Sequence, residues 1–258
     1  MADDGRRVAT PVHRLARVTG LVLAPLLLAQ GKAVRARVPR LPHAPKPWSG
    51  HIDGPSPLVV LGLGDSTIAG VGVDDPMLGL TAHFSKKLYH LSGRGVRWQS
   101  VGHRGATTGD VWREHLPVLL EEEHADIVFL SMGANDAIRL RSTKSAITHT
   151  TAVLDALHER FPGAVVLMSS MPAFRLFETI PHPLRAVMSG HATTLETALR
   201  PLVERYPRTL MSPPPRFYPQ GFFAEDLFHP SSEGYEQWAG FALEDAVRRG
   251  VLDHLIGR

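Results

Sequence analysis

The run Leu58-Val59-Val60-Leu61-Gly62-Leu63-Gly64 constrains this chain more than any other stretch, because it ends directly on Asp65 and Ser66. An apolar run without polar alternation predicts a strand buried on both faces, and such strands belong to parallel sheets covered by helices. Gly62 and Gly64 permit close backbone approach toward the strand's end. The chain then turns, which places Ser66 beyond the carboxyl end of a strand, where open α/β sheets bind their ligands. If a helix opens at the serine, its free amides and dipole face any negative charge that develops beside the hydroxyl. Taken alone, Ser66 reads equally as a helix N-cap.

Three later segments add chemistry. Gly105 lies in Val101-Gly102-His103-Arg104-Gly105, after a strand-like run. Gly133-Ala134-Asn135-Asp136 follows the apolar run that ends at Leu130, and Asp226-Leu227-Phe228-His229 precedes a C-terminal helical pattern. A hydroxyl, a backbone amide, a side-chain amide and an acid–histidine pair thus stand at strand ends or loops. As an ordered set these blocks resemble the GDSL, or SGNH, hydrolases. The resemblance covers about residues 57 to 250. Thr67 stands where that family most often has leucine, and Gly105 is the loosest match, since no asparagine stands close before it.

The resemblance implies a nucleophile–base–acid triad of Ser66, His229 and Asp226. It also implies an oxyanion hole formed by the Ser66 amide, the Gly105 amide and the Asn135 side chain. The chemistry requires such a set. A serine hydroxyl attacks poorly without a base in hydrogen-bond reach, and an acid must fix the histidine tautomer and stabilise the imidazolium. Donors aimed at the developing oxyanion often contribute most. Asp65 is expected to accept backbone amides in the nucleophile turn, and Asp136 to hold the loop carrying Asn135. Arg104 is the charged residue nearest the site in this alignment, a candidate contact for an acidic substrate group. His51, His103 and His191 are weaker candidates for the base. The bland alternative makes Asp226 a helix cap and His229 a turn residue.

Strand-like runs recur at 58–63, 95–101, 125–131, 163–169 and 208–212, with helical patterns between them. Asp75-Pro76 signals a helix start ahead of Met77, Leu80, Phe84, Leu88 and Leu91. Further helices are expected from Thr108 or Gly109, over 142–160, within 183–206 and from Ser232 to Arg249. The alternation predicts a three-layer α/β/α sandwich with a mostly parallel, about five-stranded central sheet, like the SGNH and flavodoxin folds. Right-handed crossovers then bring every candidate residue to one sheet edge. The glycines of Gly62-x-Gly64 do not complete a dinucleotide fingerprint, since residue 67 is threonine, and no Walker lysine follows. No cofactor or metal is called for.

The chain divides into an N-terminal segment, 1–56, and a catalytic domain, 57–258. Nine of its 28 lysines and arginines precede residue 47, facing only Asp3 and Asp4, so the catalytic domain is slightly acidic and nucleic acid is an improbable partner. The chain has no cysteine, which excludes disulfides and thiolate chemistry. Val18 to Gly31 is apolar but interrupted by Gly20 and Pro25, and shorter than the roughly 20 residues of a membrane span. It is expected to form a helix covering the domain or, with its flanking arginines, touching a membrane surface through residues 12–37. A signal segment lacks a clean cleavage site. Cytoplasmic or peripheral membrane placement is therefore expected, with secretion less favoured. Residues 38–57 carry six prolines and read as an extended linker.

The expected substrate is a small carboxylic ester with a short- to medium-chain acyl or aryl group. Thioester, lysophospholipid or carbohydrate acetyl substrates suit the same triad, and a non-catalytic binding module is the rival of a different class. The segments 71–79, 136–146, 171–187 and 213–228 are expected to wall the pocket. Met77, Leu78, Ile138, Leu140, Met171, Phe174, Leu176, Phe177, Phe217, Phe222 and Phe223 favour an apolar acyl group. None of the four tryptophans falls in those segments, as a sugar site would want.

Overall fold

The computed structural model describes residues 11–257, with side chains described from residue 23 onward. Six strands form one sheet in the order β1-β3-β2-β4-β5-β6. They are β1 (Ser49–Ile52), β2 (Leu58–Gly64), β3 (Val96–Gly102), β4 (Ile127–Ser131), β5 (Val165–Met168) and β6 (Thr209–Met211). Helix α1 (Pro11–Arg37) precedes them, α2 (Leu80–Ser92) follows β2, and the short helices α3 (Thr108–Asp110), α4 (Leu116–Leu119) and α5 (Ala134–Ile138) lie in the connections after β3 and β4. All pairings are parallel except β1 against β3. The five expected strands are present, each within two residues of its expected start. The sixth, β1, was expected as linker. Its four residues alternate between exposed and half-buried, so no apolar pattern marks them. Pairing with β3 creates the strand, a tertiary effect that local propensity does not carry.

Alternate β2 residues face two separate cores. Leu61 and Leu63 join Val128, Leu130, Leu154 and Leu195 beneath helices α6 (Thr143–Arg160) and α7 (Leu184–Val203). Leu58 and Val60 join Trp98, Phe129, Phe84 and Tyr235 beneath α2 (Leu80–Ser92) and α8 (Ser232–Arg248). Helices thus cover both sheet faces, which is why these strands are apolar throughout. Ser142 and Ser231 cap α6 and α8 by accepting from the amides three residues on. Asp75 does not open α2. It caps a single 3-10 turn, Pro76–Leu78, and α2 begins after Gly79.

The N-terminal helix α1 runs from Pro11 to Arg37, through Pro25. Among the described residues no helix is long and apolar enough to cross a membrane. Gln30 fixes α1 to the entry of α7: its amide donates to the His182 carbonyl at 2.6 Å, and its oxygen accepts from the Leu184 amide at 3.1 Å. Downstream, the Ala44 amide donates to the Gly70 carbonyl, and Ala44 is buried.

The parallel register sets strand ends level. Gly64 pairs with Gly102 on one side and Ser131 on the other, so the loops after β2, β3 and β4 leave the sheet side by side. A Cβ at Gly64 would lie 1.8 Å from the Ser131 carbonyl oxygen, so only glycine permits this approach. Gly64→Ala is therefore expected to reduce stability at least as much as Leu61→Ala, a core truncation costing about 2–5 kcal/mol. Urea unfolding of the two variants decides this. A Gly64→Ala midpoint equal to the wild type's would refute the constraint.

Candidate active site

At the end of β2 the Asp65 amide donates to the Ser131 carbonyl (3.0 Å), and the Asp65 carboxylate accepts from the Thr67 amide and hydroxyl, each at 3.0 Å. This fixes Ser66 at the corner of one tight turn. The turn closes through Ala69 onto Asp65 and Val71 onto Ser66, and no long helix opens there. The helix-dipole contribution anticipated at the serine is thus confined to a single turn's amides.

Ser66 Oγ lies 3.0 Å from His229 Nε2, and His229 Nδ1 lies 2.6 Å from Asp226 Oδ2. The other Asp226 oxygen accepts the Phe228 and His229 backbone amides at 2.9 and 2.8 Å. One carboxylate therefore folds its own turn and orients the imidazole. Leu227, between them, adopts φ +52°, a conformation strained for a branched residue and required by the three-residue reach. Burial raises the Asp226 carboxyl, but hydrogen bonds from the His229 ring and amide outweigh it and hold the group below its ordinary range. The acid accordingly stays ionised.

The loops carrying Ser66 and His229 are brought together from behind. Gly72, at φ +102°, lies so close to Pro230 that a Cβ would sit 2.5 Å from its carbonyl oxygen. The buried Tyr235 hydroxyl of α8 donates to the Val71 carbonyl at 2.7 Å. Burial pushes that phenol well above its ordinary value, so it remains a donor. Nothing in the sequence marked Tyr235 as part of this arrangement, since its partner lies 164 residues away.

Gly105 adopts φ +78°, which glycine supplies without strain. Among the described residues neither the Ser66 nor the Gly105 amide has an acceptor. Asn135 Nδ2 donates to the Ala106 carbonyl at 3.0 Å, leaving its second hydrogen free. Asp136 accepts the Thr108 amide and hydroxyl at 2.8 and 2.9 Å, tying the short helix that carries Asn135 (Ala134–Ile138) to the segment after Gly105. The three donors assigned to the oxyanion thus belong to loops cross-linked by buried hydrogen bonds.

Arg104 Nη1 donates to the Leu41 carbonyl at 2.5 Å, so this donor holds the N-terminal segment. The expected wall residues divide: Met171 and Phe174 line a cavity of about 360 Å³ together with Ala173, Ala192 and Pro214, while Met77, Leu78, Ile138 and Phe223 pack against the two cores. Met171, Phe174, Phe177 and Phe222 are buried, and the Phe177 ring meets Phe223, Phe228 and Tyr218 at 5.0–5.5 Å. Leu140, Phe217 and Leu227 remain exposed. His51 lies exposed on β1, and His191 bonds the Arg141 carbonyl. Thr67 is a residue that sequence reasoning passed over. Its hydroxyl bridges Asp65 to Ser131 Oγ (2.8 Å), which also meets Ser169 Oγ.

Residues 63–237 match the family described as GDSL-like lipase/acylhydrolase. The chain belongs to this family. A GDSL-like esterase of Mycobacterium tuberculosis, Rv1075c, is 26% identical over 193 residues, 71% of this chain and 61% of that protein. The chain thus aligns with less than two thirds of that relative's length. Among solved structures, the lipase Lip_vut3 from a goat rumen metagenome superposes with a TM-score of 0.61 at 19% identity, covering 73% of this chain and 97% of that one. TesA superposes at 0.58 with 20% identity, covering 76% and 99%. At these identities the likeness establishes the GDSL-family fold. The family match begins inside β2, leaving α1 and β1 outside it.

Within this GDSL-family site, Asp65 is the electrostatic anomaly. Burial raises its carboxyl from 3.8 to about 6, against the Thr67 hydrogen bonds and the nearby His229. A folded-state value above the unfolded one makes its contribution complete below about pH 4 and lost as pH rises through about 6. The loss is roughly 3 kcal/mol. Asp65→Asn keeps an acceptor for Thr67 but no ionisation. Relative to wild type, its stability is expected to rise by about that amount between about pH 4 and 7, read from urea midpoints. A constant difference across that range would contradict the burial argument.

Proposed function

We propose that this chain is a serine-dependent carboxylic ester hydrolase acting through an acyl-enzyme, with short- to medium-chain acyl or aryl esters as substrates. The observation that carries the reading is the continuous Ser66–His229–Asp226 hydrogen-bond chain, set beside two backbone amides that have no acceptor among the described residues. The esterase and lipase names of its relatives support the same class.

Ser66 Oγ attacks the ester carbonyl carbon while His229 Nε2 takes its proton. The carbonyl oxygen gains the negative charge, met by the Ser66 and Gly105 amides and the free Asn135 hydrogen. Collapse breaks the bond to the alcohol oxygen, which leaves with the proton from His229. Water then attacks the acyl carbon, giving its proton to the same nitrogen, and Ser66 leaves reprotonated as the carboxylic acid forms. Asp226 remains ionised throughout and stabilises the imidazolium. Exposed Leu140, Phe217 and Leu227, in segments at the same sheet edge, favour an apolar acyl group.

Purified protein is expected to hydrolyse p-nitrophenyl acetate and butyrate, and Ser66→Ala to lower kcat by at least about a thousandfold with an unchanged thermal midpoint. Near-native turnover in a folded Ser66→Ala variant would sink the assignment. For Asn135→Ala the expected result is a fall in kcat of about a hundredfold or more with little change in KM, since its amide acts once charge develops. If Asn135 only holds Ala106, the loss should track the folded fraction. Kinetics and thermal midpoint measured on one preparation separate these outcomes.

A further inference from the structure

The segment from Leu27 to Ala44 lies outside the family match, yet it is tied to three loops of the catalytic edge. Gln30 clasps His182 and Leu184, in the β5–α7 connection. Since α7 runs back along the sheet from the end of β5, its entry lies at the carboxyl edge of the strands. Leu41 accepts from Arg104, one residue before Gly105 in the β3 loop. Ala44 pairs with Gly70 in the β2 loop. In the sheet order, β2 and β4 stand between β3 and β5. Three strand spacings amount to about 14 Å. Residues 30–37 as helix supply about 10 Å, and the extended residues after them a similar length, so the segment suffices to cross.

The sequence of this segment has two faces. Leu27, Gln30 and Val34 recur at helical spacing on α1 and are half-buried, as are Val38 and Leu41 beyond its end, whereas Lys32, Arg35, Arg37 and Arg40 are exposed. The half-buried aliphatic residues do not join either packed core.

We infer that residues 27–41 are a strap across the active-site mouth whose aliphatic face, centred on Val34 and Val38, receives the acyl chain and sets chain-length preference. This rests on the proposed ester hydrolysis and names the element that selects its substrate.

The test compares octanoate and acetate p-nitrophenyl esters on the full chain. Val34→Glu is expected to lower the octanoate-to-acetate ratio of kcat/KM by about tenfold or more, because an acyl tail then meets a carboxylate. Val34→Leu should keep the ratio, and Lys32→Glu, on the outward face of the same turn, should move it by less than about twofold. Circular dichroism and thermal midpoints check that each variant is folded. An unchanged ratio in folded Val34→Glu would overturn the inference, as would an equal loss in Lys32→Glu. Should the wild type cleave neither ester, the hydrolase reading fails by itself. The strap is then judged by calorimetry with octan-2-one, a ketone that needs no turnover. About tenfold weaker binding to Val34→Glu supports the strap, whereas equal binding, or none to the wild type, overturns it.

Discussion

Among the described glycines the closest approach is that of Gly64 to the Ser131 carbonyl, where a Cβ would lie 1.8 Å from the oxygen. It holds β2 and β4 level at their carboxyl ends, beside β3. The chain crosses from one side of β2 to the other between β3 and β4, which makes this a topological switch point. The crevice there receives Ser66 after β2, the Gly105 amide after β3 and the Asn135 side-chain amide after β4. Displacing any of these strand ends would move a reacting group relative to the others.

Hydrogen bonds convert that backbone geometry into a rigid polar site. Asp226 and Asp65 do comparable mechanical work in opposite electrostatic circumstances. Asp226 accepts amides and an imidazole that favour its charge, and is held below the usual carboxylate range. Asp65 also accepts two donors, but complete burial dominates and raises it to about 6. The first keeps a charge beside the His229 ring. The second sits beneath the nucleophile turn, joined through Thr67 to Ser131 and Ser169.

The parallel strands were legible in the sequence because burial on both faces leaves no polar residue to interrupt an apolar run. Ser66, Asn135 and the Asp226–His229 pair were legible because each combines a functional group with a strand end or turn signal. Strand β1 was not, since only pairing with β3 gives it form. Tyr235 and Thr67 were not, because each acts through a partner brought near by folding. Of the aromatic residues in 171–187 and 213–228, Phe174 lines a cavity whereas Phe177 and Phe222 are buried against protein. Apolar character marks burial, and composition does not distinguish burial against protein from burial against a ligand. The Gln30 clasp and the Arg104–Leu41 bond show the same gap, as an N-terminal segment read as cover and linker is fastened to the catalytic edge.

In the proposed site three neighbouring strand ends converge on one carbonyl oxygen. The decisive measurement is a crystal structure of the protein inactivated with an ethylphosphonate ester, since the adduct's phosphoryl oxygen occupies the oxyanion position. Phosphorus is expected bonded to Ser66 Oγ, with that oxygen within about 2.7–3.1 Å of the Ser66 amide, the Gly105 amide and Asn135 Nδ2. An adduct whose oxygen points to solvent, or to donors from other loops, would contradict this convergence.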